Sequence, residues 1–410
     1  MTGSLPLKRV ARVRFSSVDK KSNEGEIPVR LCNYTDVYYR DSITRDVAFM
    51  EATATPNELR EFSLTRDDVL ITKDSESPDD IGIPSYVSFS DETTVCGYHL
   101  AQIRPDKGKV DGKYLFWWMT SDTMRRELSS RANGITRFGL KLEAIAAAPV
   151  RIPTIKEQRA IADFLDRETA TIDALLAKKR SVSALLEERF RCQLDQSLDS
   201  LPGPRIPLGR FMLGITQGVS PQAEGRPALD NEWGLLRLSS VKFGRFVPSE
   251  NKALPQDYVI DPRLVPVEGD LLVTRSNTPK YVGDACAVQK TAPRVLLCDL
   301  IYRVRVDHRL LPEFAAYALL TSQARHHLGG SGRGTSQSMV KLRGEDVRAV
   351  RIPDLPIDKQ RFVISEIDRR RQRADEAIAR LNLHIGLLAE RRQALITGAV
   401  TGQMDIPSPA

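Results

Sequence analysis

The chain carries one plan twice, and any fold that ignores this duplication is excluded from the outset. Residues 134–153, GITRFGLKLEAIAAAPVRIP, align with residues 334–353, GTSQSMVKLRGEDVRAVRIP, at an offset of 200. They share Gly134/Gly334, Lys141/Lys341, Leu142/Leu342 and the whole Val-Arg-Ile-Pro of 150–153 and 350–353. Residues 157–189 then match 359–391 at an offset of 202, with Gln158/Gln360, Arg159/Arg361, Asp166/Asp368, Arg167/Arg369 and Glu188-Arg189/Glu390-Arg391 in common. Upstream, DVLITK at 68–73 parallels DLLVTR at 270–275, and YLFWWMT at 114–120 parallels FAAYALL at 314–320. Chance explains one such segment, not four in the same order.

Each copy opens with short β-type runs and turn signals. In the second copy these are Leu235–Leu238, Asp270–Thr274, Ala285–Val288 and Leu300–Val306, punctuated by Pro, Gly, Asn and Asp. A helical pattern follows at 113–130 and again at 312–328, so each copy reads as an α+β module. Both then switch at Ile-Pro into a long polar helix. The second helix keeps a heptad: Ile364, Arg371, Ile378, Ile385 and Arg392 on one seam position, and Ile367, Ala374, Leu381, Leu388 and Leu395 on the other. Arginine at two seam positions weakens a simple seam and calls for a further helix there. The first helix carries a wider stripe of Ile161, Leu165, Ile172, Leu175, Leu176, Val182, Leu185, Leu186 and Phe190.

The expected fold is therefore α+β: two similar α+β modules separated by two long helices, paired as an antiparallel coiled coil with a pseudo-two-fold internal repeat. The expected divisions are a first module at 1–153, a first long helix at 154–200, a second module at 201–355, a second long helix at 356–402 and a tail at 403–410. Pro202, Pro204 and Pro207 break the first helix and start the second copy. A helix of ~32 residues is ~48 Å long and forms a rod with one module near each end.

Composition narrows the partners. Lys and Arg number 60 against 53 Asp and Glu, a formal charge of +7 that leans toward a polyanion. No run approaches the ~18 apolar residues of a membrane span. The opening MTGSLPLKRVARVRF lacks the apolar core of a signal peptide. The five cysteines, Cys32, Cys96, Cys192, Cys286 and Cys298, contain no Cys-x-x-Cys pair, which argues against a disulfide framework or thiolate zinc site and for a reducing cytoplasm.

On this duplicated plan the chain resembles the specificity subunit of type I restriction–modification systems. The helix start Ile152-Pro-Thr-Ile-Lys-Glu157-Gln158-Arg-Ala-Ile161 is similar to that family's helix start, an Ile-Pro followed closely by Glu-Gln, and the stretch Glu390-Arg-Arg-Gln-Ala-Leu395-Ile-Thr-Gly-Ala-Val400-Thr-Gly402 resembles its closing segment. Gly269-Asp-Leu-Leu-Val-Thr-Arg275 is similar to a recurrent strand of its target-recognition domains. The second start departs from the pattern with Asp358-Lys359-Gln360, and the first strand copy lacks the glycine before Asp68. The resemblance implies a non-catalytic DNA-binding chain that reads a bipartite, asymmetric site and docks two adenine-methyltransferase subunits, with restriction subunits joining for cleavage. S-adenosylmethionine then belongs to the methyltransferases, and ATP and Mg to the restriction subunit; this chain is expected to hold no cofactor and no metal. Ile161, Leu165, Ile172, Leu176, Leu186, Ile364, Ile367, Ile378, Leu381, Ile385, Leu388 and Leu395 are expected to serve the coiled coil and partner docking.

Catalytic motifs are missing. There is no Asn-Pro-Pro-Tyr/Phe or Asp-Pro-Pro-Tyr of an amino-methyltransferase and no Walker A. The glycines of Gly329-Gly-Ser-Gly332-Arg-Gly334 do not fit a dinucleotide fingerprint. Pro105-Asp106 with Asp111-Gly-Lys113 mimics a nuclease pattern at too short a spacing and reads as a turn. Among the histidines, His99, His308, His326, His327 and His384, no His-x-x-x-His pair occurs. Trp117-Trp118 lies in an apolar helical run and reads as core rather than as a base-stacking platform.

Candidate DNA readers are polar and basic loop residues: Tyr38, Tyr39, Arg40, Lys73, Ser75 and Arg137 in the first module, and Lys242, Arg245, Arg275, Ser276, Asn277, Lys280 and Arg333 in the second. Arginine pairs bidentately with guanine and asparagine with adenine, while lysines more often hold phosphates. Three rival readings remain on the sequence: the specificity subunit of a modification-only system, a self-sufficient nuclease or methyltransferase, and a coiled-coil tether that binds no DNA.

Overall fold

The structure, a computed structural model, describes residues 3–291, 294–331 and 339–406. It resolves into two compact units, one of Met1–Arg180 with Asn382–Ala410 and one of Ser181–Leu381. The two longest elements are helices Ile155–Asp199 and Ile357–Thr401, each of 45 residues. At 1.5 Å per residue each is about 68 Å long, longer than the apolar seam alone suggests.

In the first unit a five-stranded sheet runs in the order Ala11–Phe15, Leu100–Pro105, Val69–Thr72, Pro84–Val87, Ser42–Ile43. A four-stranded sheet, Met50–Ala54, Ile27–Cys32, Asp91–Cys96 and Ser63–Leu64, lies beside it. Strand Val69–Thr72 is buried throughout, with Val69 and Ile71 in one apolar cluster and Leu70 in the other. A strand covered on both faces has no polar alternation, and this is why Val69-Leu70-Ile71 is a continuous apolar run. In the second unit Met212–Gln217, Ile301–Val306, Leu271–Thr274 and Ala285–Ala287 form an antiparallel sheet beside Asn251–Ala253, Gly234–Leu236 and Val295–Leu296. Here Leu271 and Val273 face one core and Leu272 the other.

The helical pattern expected over 113–130 is two helices, Gly112–Thr120 and Asp122–Arg131. Ser121 divides them: its hydroxyl donates to the Trp118 carbonyl at 2.7 Å and accepts from the Met124 N–H at 3.3 Å. Thr321 does the same between Pro312–Leu319 and Ser322–Ser331, donating to Ala318 and accepting from Ala324. A hydroxyl that satisfies the end of one helix and the start of the next lets the chain turn without losing backbone hydrogen bonds. Trp117 and Trp118 are core residues, 4% and 5% exposed.

Val-Arg-Ile-Pro also has a structural reason. Pro149–Arg151 pairs with Ser4–Pro6 in the first unit, and Arg351–Pro353 pairs with Arg205–Pro207 in the second. The strand pair closes each module just ahead of its long helix. A buried glutamine then fastens the helix start to the module. Gln158 donates to the carbonyls of Lys109 (3.1 Å) and Pro153 (2.8 Å) and accepts from the Asp111 N–H (2.8 Å). Gln360 donates to Arg309 and Leu355 (both 2.8 Å) and accepts from the Leu311 N–H (2.9 Å).

Further along the helices, Asp166 accepts from the Trp117 indole N–H at 3.0 Å and contacts Lys113, while Asp368 accepts from the Tyr317 hydroxyl. Helix Asp122–Arg131 is capped from the second long helix, by Thr397 Oγ1 on the Asp122 N–H at 3.0 Å. Helix Ser322–Ser331 is capped from the first, by Asp195 Oδ1 on the Ser322 N–H at 2.7 Å.

Within the first unit Ile161 and Leu165 share a core with Ile396, Ala399 and Val400, so the start of one long helix meets the end of the other. Within the second, Phe190, Leu194 and Leu198 share a core with Val363 and Ile367. Of the residues expected on the seam, Ile161, Leu165, Ile172, Leu176 and Ile367 are buried; Leu186, Ile364, Ile378, Leu381, Ile385, Leu388 and Leu395 are half-buried. The two seam arginines meet aromatic rings, and the ring at Arg392 belongs to a further helix, Gly112–Thr120. Arg371 packs over the rings of Phe190 and Phe243 (5.1 and 5.6 Å). Arg392 lies 5.9 Å from the Trp117 ring and pairs with Asp173 (2.9 Å) and Asp41 (2.5 Å). A planar guanidinium over an aromatic face is the arrangement that lets a charge enter such a seam.

Candidate nucleic-acid interface

In the first unit the strand Val69–Thr72 delivers Lys73, Asp74 and Ser75 to the end of the sheet. The Lys73 ammonium lies 4.1 Å from the Tyr98 ring centroid and 4.9 Å from that of Phe15. Burial lowers its pKa, and Asp74 opposes that shift. Asp74 receives the His99 Nδ1 at 2.9 Å and the Arg137 Nη2 at 2.8 Å. Burial pushes its carboxyl up, but the bonds from His99 and Arg137 hold it below the ordinary carboxylate value. Ser75 pairs through its backbone with Phe138. Tyr34 stacks on Tyr38 at 5.4 Å, and the Tyr38 hydroxyl donates to Asp80 at 2.7 Å, which raises its pKa to about 12. Tyr39 stands edge-on to Tyr38 and is 75% exposed. The structure thus gathers Tyr38, Tyr39, Lys73, Ser75 and Arg137 around one loop cluster, whereas Arg40 folds back on Asp36 at 3.3 Å.

The second unit delivers Arg275, Ser276 and Asn277 from the strand Leu271–Thr274. Arg275 Nε donates to the Tyr302 hydroxyl at 3.1 Å, and that hydroxyl donates to the Leu342 carbonyl at 3.1 Å. Ser276 is buried and pairs through its backbone with Lys341; Asn277 pairs with Val340 and accepts from the Thr278 N–H. Lys280 lies 5.3 Å from the Tyr281 ring centroid. Two expected readers are not in this group. Arg245 pairs with Asp375 of the second long helix, and Lys242 faces Glu250 at 3.6 Å. Burial lowers the Arg245 pKa. Arg333, with Gly332 and Gly334, lies outside the described residues.

Sequence reasoning missed Tyr34, Asp74, Tyr98 and His99. His99 and Tyr98 reach the cluster only because Leu100 pairs with Thr72 across the sheet, a register that no local pattern announces. The faint nuclease pattern is occupied structurally. Asp106 holds a turn, accepting from the Gly108 N–H and pairing with Lys109, and Asp111 caps helix Gly112–Thr120. Among the described residues no group of three His, Cys, Asp or Glu side chains is placed to hold a metal ion, and no helix is long and apolar enough to cross a membrane.

An α+β unit that presents tyrosines, lysine, arginine and histidine on one loop cluster, joined to a long polar helix, has a surface whose charge and rings suit a polyanion. Comparison with known proteins agrees. The family described as the type I restriction modification DNA specificity domain matches residues 16–182. The EcoEI specificity subunit of Escherichia coli is 27% identical over 163 residues, 39% of this chain and 27% of that protein. The alignment thus spans about a quarter of that relative's length. The EcoKI specificity subunit of E. coli K12 is 22% identical over 363 residues, covering 83% of this chain and 75% of that one. A chain solved in a study of the assembly and conformational transition of the type I R-M system superposes with a TM-score of 0.68 at 15% identity, over 98% of this chain and 99% of its own length, and shows the same fold. The chain is thus similar to type I restriction–modification specificity subunits: residues 16–182 match their DNA specificity domain, and most of its length aligns with one of them.

Proposed function

We propose that the chain reads a bipartite, asymmetric DNA site, one half with each unit, without catalysing a reaction itself. The observation that carries this reading is the repetition of the fastening and the divergence of what it holds. Gln158 and Gln360 make one set of bonds, and Asp166–Trp117 and Asp368–Tyr317 another. The loops after the equivalent strands nevertheless differ, Lys73-Asp74-Ser75 against Arg275-Ser276-Asn277. Equal mounting with unequal reading surfaces fits two unlike half-sites. The two long helices act as an antiparallel coiled coil, a pseudo-two-fold rod that fixes the spacer.

In each half-site, arginines and Asn277 supply base-edge contacts and lysines hold phosphates. Affinity then falls steeply with salt. The helices also dock two adenine-methyltransferase subunits. Leu185 and Leu387, which correspond in the two copies, are 58% and 53% exposed on helix faces that their own units leave uncovered. S-adenosylmethionine is held by those partners, which flip the target adenine. ATP and Mg are held by a restriction subunit where one is present. The complex works in the cytoplasm.

The test is an adenine-methylation map of the genome with and without the gene. One gapped, asymmetric motif should lose methylation on both strands on deletion, and exchange of residues 1–153 should alter one half alone. An unchanged map with the methyltransferase expressed rejects the reading in favour of a tether.

A further inference from the structure

Strands Asn133–Gly134 and Phe138–Gly139 pair antiparallel, which leaves Ile135, Thr136 and Arg137 as the turn of a short hairpin. A Cβ on Gly134 would lie 2.0 Å from the Arg137 carbonyl oxygen, so the turn closes only on glycine. The stem is held firmly. Phe138 pairs with Ser75 and packs against the core, and Arg137 is tied to Asp74, which also holds His99. At the tip of this fixed turn Ile135 is 93% exposed. A single exposed aliphatic residue on a loose loop is ordinary. One presented by an anchored hairpin, beside a cluster of cations and exposed tyrosines, has no packing role in its own fold and is free to meet a partner.

The geometry suits one groove. The major groove of B-DNA, ~12 Å wide, admits a two-stranded ribbon, and its base edges have matching partners: arginine for guanine, asparagine for adenine, and aliphatic or threonine methyls for the C5 methyl of thymine. The hairpin carries all of these as Asn133, Ile135, Thr136 and Arg137. Asp74 takes Nη2 of Arg137, and the side chain is still 64% exposed. We propose that Ile135 is a specificity-determining residue that seats against the C5 methyl of a thymine in the half-site read by the first unit. This rests on the DNA-reading function proposed above.

The test uses the full chain with its methyltransferase and duplexes of the methylated motif in which each thymine of that half-site is replaced in turn by deoxyuridine, which lacks only the methyl. One replacement should weaken binding about fourfold, the worth of one buried methyl group. The Ile135→Ala protein should bind that duplex and the thymine duplex alike, and Ile135→Val should keep part of the difference. Equal binding of all deoxyuridine duplexes, a half-site without thymine, or a methyl effect that persists in Ile135→Ala overturns the assignment while leaving DNA reading intact. So does weaker binding by Ile135→Ala with no methyl effect, the behaviour of a minor-groove wedge. No binding to any duplex, with the methyltransferase present, overturns the DNA reading as well.

Discussion

A glutamine amide offers two donors and an acceptor, and at Gln158 these close a gap between segments far apart in sequence. Its partners Lys109 and Asp111 belong to the loop ahead of helix Gly112–Thr120, and Pro153 to the turn that starts the long helix. Removal of the amide leaves a buried N–H and two carbonyls unpaired, at ~1–3 kcal/mol for each that finds no water. Gln158→Ala should therefore destabilise the first unit by about 3 kcal/mol and Gln360→Ala the second by a similar amount, read as a shift in the urea midpoint of the unit concerned; a loss below ~1 kcal/mol would mean that water replaces the side chain. The pair is visible in the sequence as an identity between copies, but the task it performs is not, because two of the three partners of each lie about fifty residues upstream. Position 67 shows the opposite case. The sequence lacks the glycine that precedes the equivalent aspartate in the second copy, and the backbone still adopts the same left-handed turn: Asp67 has φ +80° where Gly269 has +85°. Aspartate tolerates that region at ~1–2 kcal/mol, and the Tyr86 hydroxyl bond to Asp67 at 2.7 Å helps offset the strain.

Secondary elements were legible where their apolar pattern was self-contained. The long helices, expected at 154–200 and 356–402, run over Ile155–Asp199 and Ile357–Thr401, since an Ile-Pro start and an unbroken polar-apolar pattern need no tertiary information. The doubly buried strands announced themselves as apolar runs. The break at Ser121 did not, because serine is common inside helices and acts here through one hydroxyl bond on each side. The sequence also could not divide apolar helix residues between internal packing and docking. The structure gives their burial: Ile161 and Leu165 are buried in the module core, whereas Leu185 and Leu387 are exposed. A glutamate at an exposed position costs the chain itself little, within ~0.5 kcal/mol, but places an unpaired charge in any apolar interface built over it. Leu185→Glu with Leu387→Glu should leave the melting temperature of the isolated chain unchanged and reduce methyltransferase co-purification at least tenfold. Undiminished complex formation would move the docking face elsewhere on the helices.

At the scale of the whole molecule, the proposed division of labour makes the long helices a ruler, and a ruler has both length and phase. Four residues inserted between 180 and 181, with four between 381 and 382 to keep the helices matched, add ~6 Å of rise and ~40° of rotation. The same axial distance on DNA is nearly two base pairs and turns the duplex by ~60°. Length and phase then disagree by only ~20°, a mismatch that modest twisting of the DNA can absorb. Three residues inserted at the same places add ~4.5 Å but rotate by ~60° in the opposite sense, while the corresponding DNA turns by ~45°. Here the disagreement exceeds ~100°. The four-residue protein should therefore methylate the same two half-sites with the spacer longer by one or two base pairs, and the three-residue protein should lose methylation at every spacer. Sequencing of methylated adenine in cells carrying each form distinguishes the outcomes. If both insertions leave the spacer unchanged, the separation of the half-sites is set by the partner subunits and not by the helices of this chain.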